Sequence, residues 1–257
     1  VVAAGHSLID RLANAVVALD HYLRSAIWPA DLALFHPHPG SRSLGEVLPA
    51  LLLPLVAASV ALALVRRLPA AFVGTAVFAG SLVPVLGIVQ VGAQAYANRY
   101  TYVPYIGLFV AAVYGALGLP GWRASRWLPG AWAALVLVAT IACVIQTRAY
   151  LQHWKNSTTI WTYTLRKVGA DRSREAPLAE TRLRALFNPW FKLGLAHAIE
   201  ERHVPAAYHL AEAARLDPEH AETWYRLGWA LLRSGATETA LYAFGRFLEL
   251  GPDNPAA

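Results

Sequence analysis

Cysteine is almost missing from this chain: Cys143 is the only one, and it sits inside an apolar run. A disulfide framework or a thiolate metal site is therefore excluded within one chain, and Cys143 reads as a small buried apolar residue. Methionine is missing altogether, even at position 1, and no basic-then-apolar leader with a cleavage site opens the sequence. Those two absences predict a piece of a longer protein. Charge is scarce as well. Only 15% of residues are charged, and no Asp, Glu, Lys or Arg occurs between Leu68 and Asn98. With 56% hydrophobic residues and a mean hydropathy of +0.39, the chain is too apolar for an ordinary soluble domain. The formal net charge of +6 does not point to nucleic acid, because the arginines are scattered among acids and form no basic stripe.

What the sequence does have is long apolar runs. Four of them, about 48–65, 69–89, 102–119 and 128–145, are long enough to cross a bilayer core as helices, which takes about 20 residues. Pro54 and Pro84 should kink the first and second. Arg66 and Arg67 lie between the first two runs, and Arg123 and Arg126 between the last two. Alternating spans put both pairs on one side, which the positive-inside rule makes cytoplasmic. Residues 1–47, the loop around Arg99 and everything after the fourth span then face periplasm or lumen, as expected of a bacterial inner-membrane protein. No intramembrane acid and no duplicated span pattern favours a transporter.

The first 47 residues read as an outward-facing amphipathic helix and loop. Leu12, Val16, Leu19, Leu23 and Ile27 follow helical spacing, with Asp10, Asn14, His21 and Arg24 on the other face. Ser7 followed by Asp10 supplies a capping start. Such a helix lies in the interface or packs on the membrane body. Trp28-Pro29-Ala30-Asp31 breaks it, and FHPHPG (residues 35–40) reads as an irregular loop. His36 and His38, separated by a proline and without a carboxylate in a fixed element, make a weak ligand set, and no metal is assigned.

Beyond the fourth span the composition changes and a repeat emerges. Trp190, Leu193, Gly194, Ala206, Leu210 and Pro218 recur 34 positions later as Trp224, Leu227, Gly228, Ala240, Phe244 and Pro252. This is the tetratricopeptide period. The expected fold is all-α: polytopic membrane helices, then a tetratricopeptide-repeat helical solenoid over 148–257. Its repeats fall at about 187–220 and 221–254, with a degenerate half-repeat at about 154–168 and an inserted polar stretch at 169–184. Small residues let paired helices approach, Trp and Leu fill the space between them, and the prolines end each second helix. Asn188, Phe191, Leu195, Tyr225, Trp229 and Leu232, on the first helices, are candidates to line a groove for a protein or peptide partner.

The loop QVGAQAYANRYTYVP (residues 90–104) is the chemically richest part of the membrane half. Arg99 can grip a phosphate with charge-assisted hydrogen bonds, and Tyr100, Tyr102, Asn98 and Gln94 can add polar contacts. Tyrosine and arginine are also ordinary anchors at a bilayer boundary, so the spacing alone leaves both readings open.

The run ANRYTYVPYIGLF (residues 97–109), preceded by SLVPVLGIVQVGAQA, resembles the C-terminal membrane region of the transmembrane and tetratricopeptide-repeat glycosyltransferases, both the lumenal O-mannosyltransferases and their bacterial relatives. RLANAVVALDHYLRSAIWPADLALFHPHPG and WKNSTTIWTYTL are similar to the segments that flank those spans in the bacterial members. Many relatives carry an acid where this chain has Asn98. The resemblance implies a GT-C type enzyme using a polyprenyl-phosphate sugar on the outer face, with a carboxylate in the first outward loop taking the acceptor proton. Arg99, assisted by Tyr100 and Tyr102, would then hold the lipid phosphate. None of Asp10, Asp20 and Asp31 is assigned as that carboxylate, no catalytic residue is assigned within the chain, and no cofactor motif is evident. The alternative is a non-enzymatic membrane-anchored scaffold for protein–protein interaction. Asn156-Ser157-Thr158 is a formal glycosylation sequon, meaningful only in a eukaryotic lumen.

Overall fold

A computed structural model describes residues 7–30, 32–38, 41–88, 94–118, 125–170 and 186–251. Within them the protein is helical: α1 (Leu8–Ile27), α2 (Leu44–Ala63), α3 (Pro69–Leu82), α4 (Tyr102–Leu117), α5 (Leu128–Leu151), α6 (Ser157–Ala170), α7 (Phe187–Ile199), α8 (His203–Leu216), α9 (Ala221–Arg233) and α10 (Thr237–Leu250). Two short extended pieces, β1 (His36–Pro37) and β2 (Gln94–Tyr96), lie between helices. The chain divides into two compact units, one built from α1–α5 and one from α6–α10 with residues 33–38.

In the first unit, α1 starts where the sequence places it. Ser7 Oγ accepts from the Asp10 amide at 3.1 Å, satisfying a first-turn donor. Three helices are long and apolar enough to cross a membrane: Leu44–Ala63 with 20 residues, 98–117 with 20, and 128–154 with 27. The second of the four expected spans is shorter. Residues 69–82 form an α-helix of 14 residues, about 21 Å long, and residues 83–85 tighten into a 3₁₀ turn. Pro84 lacks the amide that would continue the ladder, so α3 stops short of a bilayer core of about 30 Å. Pro49 and Pro54, by contrast, lie within an uninterrupted α2. Arg123 and Asp31 lie outside the described residues. Cys143 is exposed on α5, whose apolar surface is open along its membrane-length window.

Helices α3 and α4 pack through glycine. A methyl group added at Gly74 would stand 2.5 Å from the Gly107 carbonyl oxygen, and one at Gly107 would stand 2.6 Å from the Gly74 carbonyl. Where lipid competes with every apolar side chain, this close backbone approach supplies the dispersion contacts that hold two helices together. The core of the unit is completed by Ala15, Ala18, Tyr22 and Leu23 of α1 against Phe78, Leu82 and Leu86.

In the second unit the helices come as successive pairs that fold back on themselves. The 34-residue correspondence is also one of packing. Gly194 meets Leu210, its added methyl falling 2.6 Å from Leu210 Cγ, and Gly228 meets Phe244, its methyl falling 2.7 Å from Cε1. Trp190 and Tyr208 stack edge to face at 6.0 Å, as do Trp224 and Tyr242, also at 6.0 Å. The turns correspond too. Glu201 (φ 58°) and Gly235 (φ 89°) both take left-handed backbone, although only the second has the residue that does so without strain. The pairs share one core, in which Phe191, Leu210 and Ala213 meet Leu227, Ala230 and Ala243.

Helix ends in this unit are only partly those the prolines predict. Helix α8 ends at Leu216, before Pro218, whose carbonyl accepts from Trp224 Nε1 at 2.8 Å. Helix α10 ends at Gly251 (φ 80°), and Pro252 lies outside the described residues. Before the pairs, α6 is capped by Asn156, whose Oδ1 accepts from the Thr159 amide at 2.8 Å. It packs on α7 with Ile160 and Thr164 buried. Of the expected polar insertion, residues 171–185 lie outside the described residues.

Two predictions follow from this packing. Gly107→Val should lower the thermal midpoint of the detergent-solubilised chain, costing about 2 kcal/mol or more through backbone overlap, whereas Gly80→Ala, with nothing within 4 Å, should leave it unchanged. The second concerns His197 and His209, which lie parallel at 5.1 Å with both Nδ1 atoms buried and without a hydrogen-bond partner among the described residues. Burial, with His197 nearby, depresses His209 to about 4, well below the ordinary histidine value. The fold holds it neutral, so this stability is whole above about pH 6.5 and is lost as pH falls toward 4. The thermal midpoint of the repeat unit should drop over that window, and His209→Phe should blunt the drop.

Candidate functional site

The first candidate surface is the segment that enters α4, residues 94–101, and α1 holds it in place. Asn14, only 1% exposed, donates from Nδ2 to the Ala95 carbonyl at 2.8 Å. Tyr22, fully buried, donates its hydroxyl to the Ala97 carbonyl at 3.3 Å and accepts from the Ala97 amide at 3.2 Å. Burial raises that hydroxyl to about 12, so it stays protonated and remains a donor. Tyr105 of α4 closes the circuit by donating to the Tyr22 carbonyl at 2.9 Å.

These α1 residues differ from the sequence reading. Asn14 and His21 do not face solvent as the polar side of an amphipathic helix; they turn onto the loop. His21 Nε2 lies 3.1 Å from Asn98 Oδ1. Of the five apolar positions at helical spacing, the first and last, Leu12 and Ile27, are exposed. Asp20 is buried and paired with Arg24 at 2.7 Å. The usable signal is spacing: Asn14, His21 and, one position off, Tyr22 stand two turns apart on one side of a helix. Arg42 extends the circuit, donating to Asn14 Oδ1 at 3.2 Å and meeting Glu46 at 3.7 Å.

Of the five loop residues expected to contact a phosphate, the structure brings three to the accessible side. Residues 98–101 form a 3₁₀ turn leading directly into α4, closed by the Tyr100 amide on the Ala97 carbonyl at 3.0 Å and the Thr101 hydroxyl on the Asn98 carbonyl at 2.7 Å. Arg99 is exposed, with its guanidinium 5.3 Å from the centre of the Tyr100 ring. Tyr102 is 79% exposed at the start of α4. The Asn98 side chain is engaged by His21, and Gln94 Oε1 is buried in β2. The exposed face is therefore a cation and two tyrosines beside the start of an apolar helix.

The second candidate surface is a cleft of about 570 Å³ between α7 and α9, lined by Leu195, Ala198, Ile199, Tyr225, Trp229 and Ala230, with His203, Arg226 and Arg233 at its polar edge. Three of the six expected groove residues, Leu195, Tyr225 and Trp229, meet there. Phe191 does not: it is 5% exposed and belongs to the core, stacked on Phe187 at 5.5 Å. Asn188 and Leu232 lie outside the lining. Tyr225 and Trp229 stand edge to face at 6.4 Å, backed by Phe244 at 6.3 and 6.1 Å. The sequence reading missed Ile199, Arg226 and Arg233. Their signal is helical spacing from residues already chosen: Leu195 to Ile199, and Tyr225 to Trp229 to Arg233. Among the described residues no group of three or more His, Cys, Asp or Glu is placed to hold a metal ion.

The α1 clasp makes a measurable prediction. Tyr22→Phe removes the acceptor of the Ala97 amide while keeping the ring, so hydrogen exchange at that amide should accelerate by about tenfold or more. Unchanged exchange would mean that the loop is held by other contacts.

Compared with family models, with curated proteins and with solved structures, the chain finds no match.

Proposed function

We propose that the chain belongs to a polytopic membrane glycosyltransferase that uses a polyprenyl-phosphate-linked sugar, with tetratricopeptide repeats that bind and orient a protein acceptor. The observation carrying this reading is the position of Arg99. An exposed guanidinium braced on Tyr100 immediately precedes α4, where a lipid phosphate meets the end of an apolar helix. Charge-assisted hydrogen bonds from Arg99 to the phosphate oxygens strengthen as the sugar–oxygen bond breaks and charge gathers on the departing phosphate. The acceptor hydroxyl forms the new bond at the sugar carbon and gives up its proton to a carboxylate, which the family resemblance places in the first outward loop. Tyr100 and Tyr102 add ring surface and hydroxyls at the boundary.

The tetratricopeptide assignment is supported by the 34-residue recurrence of the Gly194–Leu210 contact as Gly228–Phe244. In this reading residues 83–88 complete the crossing that α3 begins, and Arg66, Arg67 and Arg126 in the short α2–α3 and α4–α5 connections support a cytoplasmic side for those connections and a periplasmic or lumenal side for the Arg99 loop and the repeats. A second reading, a membrane-anchored scaffold without transfer chemistry, is favoured by one observation: the α7–α9 cleft is lined entirely by residues of the repeat unit.

Sugar transfer separates the two. In membranes carrying the full-length gene product, Arg99→Ala should lower transfer from a polyprenyl-phosphate sugar by about 10²-fold with insertion and thermal stability unchanged. Arg99→Lys should recover part of that loss through its charge. Equal transfer by wild type and Arg99→Ala would remove Arg99 from the reaction and leave the scaffold reading.

A further inference from the structure

The composition of the α7–α9 cleft goes further than its being a groove. Its walls are apolar: Leu195 and Ile199 come from one helix and Trp229 and Ala230 from the next. Every charged side chain lining it is basic. Arg226 is held by Glu222 at 3.0 Å and lies 5.8 Å from the Tyr225 ring centre, so its carboxylate partner is local and its charge is partly balanced. Arg233 is different. It is exposed at the end of α9 and makes no ion pair or side-chain hydrogen bond among the described residues. His203, at the start of α8, stands at the same mouth.

An unpaired guanidinium beside a half-exposed tryptophan is a poor surface for a purely aliphatic partner, which would strip water from the cation without replacing it. It is equally poor for a basic partner, which would add like charge. It suits an extended peptide in which a carboxylate stands next to a bulky aliphatic side chain. The aliphatic group fills the space between Leu195, Ile199 and Trp229, and the carboxylate takes the open donors of Arg233 in a paired, charge-assisted contact.

We infer that the cleft selects an acidic–aliphatic peptide segment, with Trp229 as its apolar anchor and Arg233 as its carboxylate partner. This rests on the reading of the repeats as an acceptor-binding element, and it names the chemistry of the acceptor segment that element takes.

Binding is measured by fluorescence anisotropy on the full chain in detergent micelles, with three short fluorescein-labelled peptides. One alternates glutamate with leucine, and the others replace each glutamate by glutamine or by lysine. The glutamate peptide should bind at least about tenfold more tightly than the glutamine peptide. Arg233→Gln should erase that difference by weakening only the glutamate peptide, and Trp229→Ala should weaken both. Arg233 is exposed, so Arg233→Gln leaves the fold intact, which circular dichroism verifies. Equal binding of the glutamate and glutamine peptides, or preference for the lysine peptide, overturns the inference while leaving a peptide-binding groove. Failure of all three peptides to bind at millimolar concentration overturns the inference and the groove reading together.

Discussion

The segment that enters α4, residues 94–101, depends on hydrogen bonds that α1 brings to it. The carbonyls of Ala95 and Ala97 and the amide of Ala97 are buried, and a buried peptide group without a partner costs about 1–3 kcal/mol. Asn14 of α1 serves the Ala95 carbonyl, and Tyr22 serves the Ala97 amide and shares the Ala97 carbonyl with the Tyr100 amide. Those side chains are in place because α1 packs on α2 and because its Ala15, Ala18 and Leu23 meet Phe78, Leu82 and Leu86. The apolar contact sets the position of the helix, the helix sets the positions of the polar groups, and the polar groups shape the chain that ends in Arg99. Near a membrane the alternative is worse than in water, because lipid offers no substitute partner for an exposed peptide group.

The repeat unit follows a different logic, in which the close approach of one helix pair is reused by the next. Gly194 and Gly228 let Leu210 and Phe244 pack directly against a helix backbone. This burial commits the second helices of each pair to the core, and with them Phe191 and Leu227 of the first helices. The remaining faces of α7 and α9 have no partner within the pairs. Tyr225 and Trp229 are exposed for that reason, and the aromatic contact to Phe244 behind them keeps their rings in fixed positions. A rigid aromatic surface loses little side-chain entropy when it binds, which makes it an efficient anchor.

How much of this was legible in the sequence differs by feature. The start of α1 was legible because Ser7 and Asp10 act locally, and the repeat because its six matched positions share one spacing. The inward turn of Asn14 and His21 was not, since amphipathic reasoning assigns every polar residue to water and cannot see a backbone carbonyl 81 residues away or an amide side chain 77 residues away. The length of α3 was misjudged because hydropathy counts residues across Pro84 as though the helix continued. Phe191 was assigned to the groove from its place on a first helix, but its stacking on Phe187 and His220 draws it into the core. In the turn after α7, Glu201 occupies a left-handed conformation that Gly235 advertises in the second pair and that nothing advertises in the first.

Exposed apolar surface has two meanings in this protein, and the neighbouring charges tell them apart. Helix α5 is apolar on every side, with no charged residue before Arg148 and an open surface along its membrane-length window. A helix hydrophobic all round and long enough to span is solvated by lipid, and it needs no protein partner to account for it. The cleft between α7 and α9 has comparable apolar exposure but sets arginines among its side chains. Acyl chains would leave the Arg233 guanidinium without a hydrogen-bond partner at a cost of several kcal/mol, so lipid is the wrong solvent for this surface. Water alone leaves Trp229 and Ile199 exposed together in one concavity, an arrangement more typical of binding surfaces than of scattered surface residues. A partner that answered both demands would itself be amphipathic, and that requirement follows from the lining residues whichever reaction the membrane unit performs.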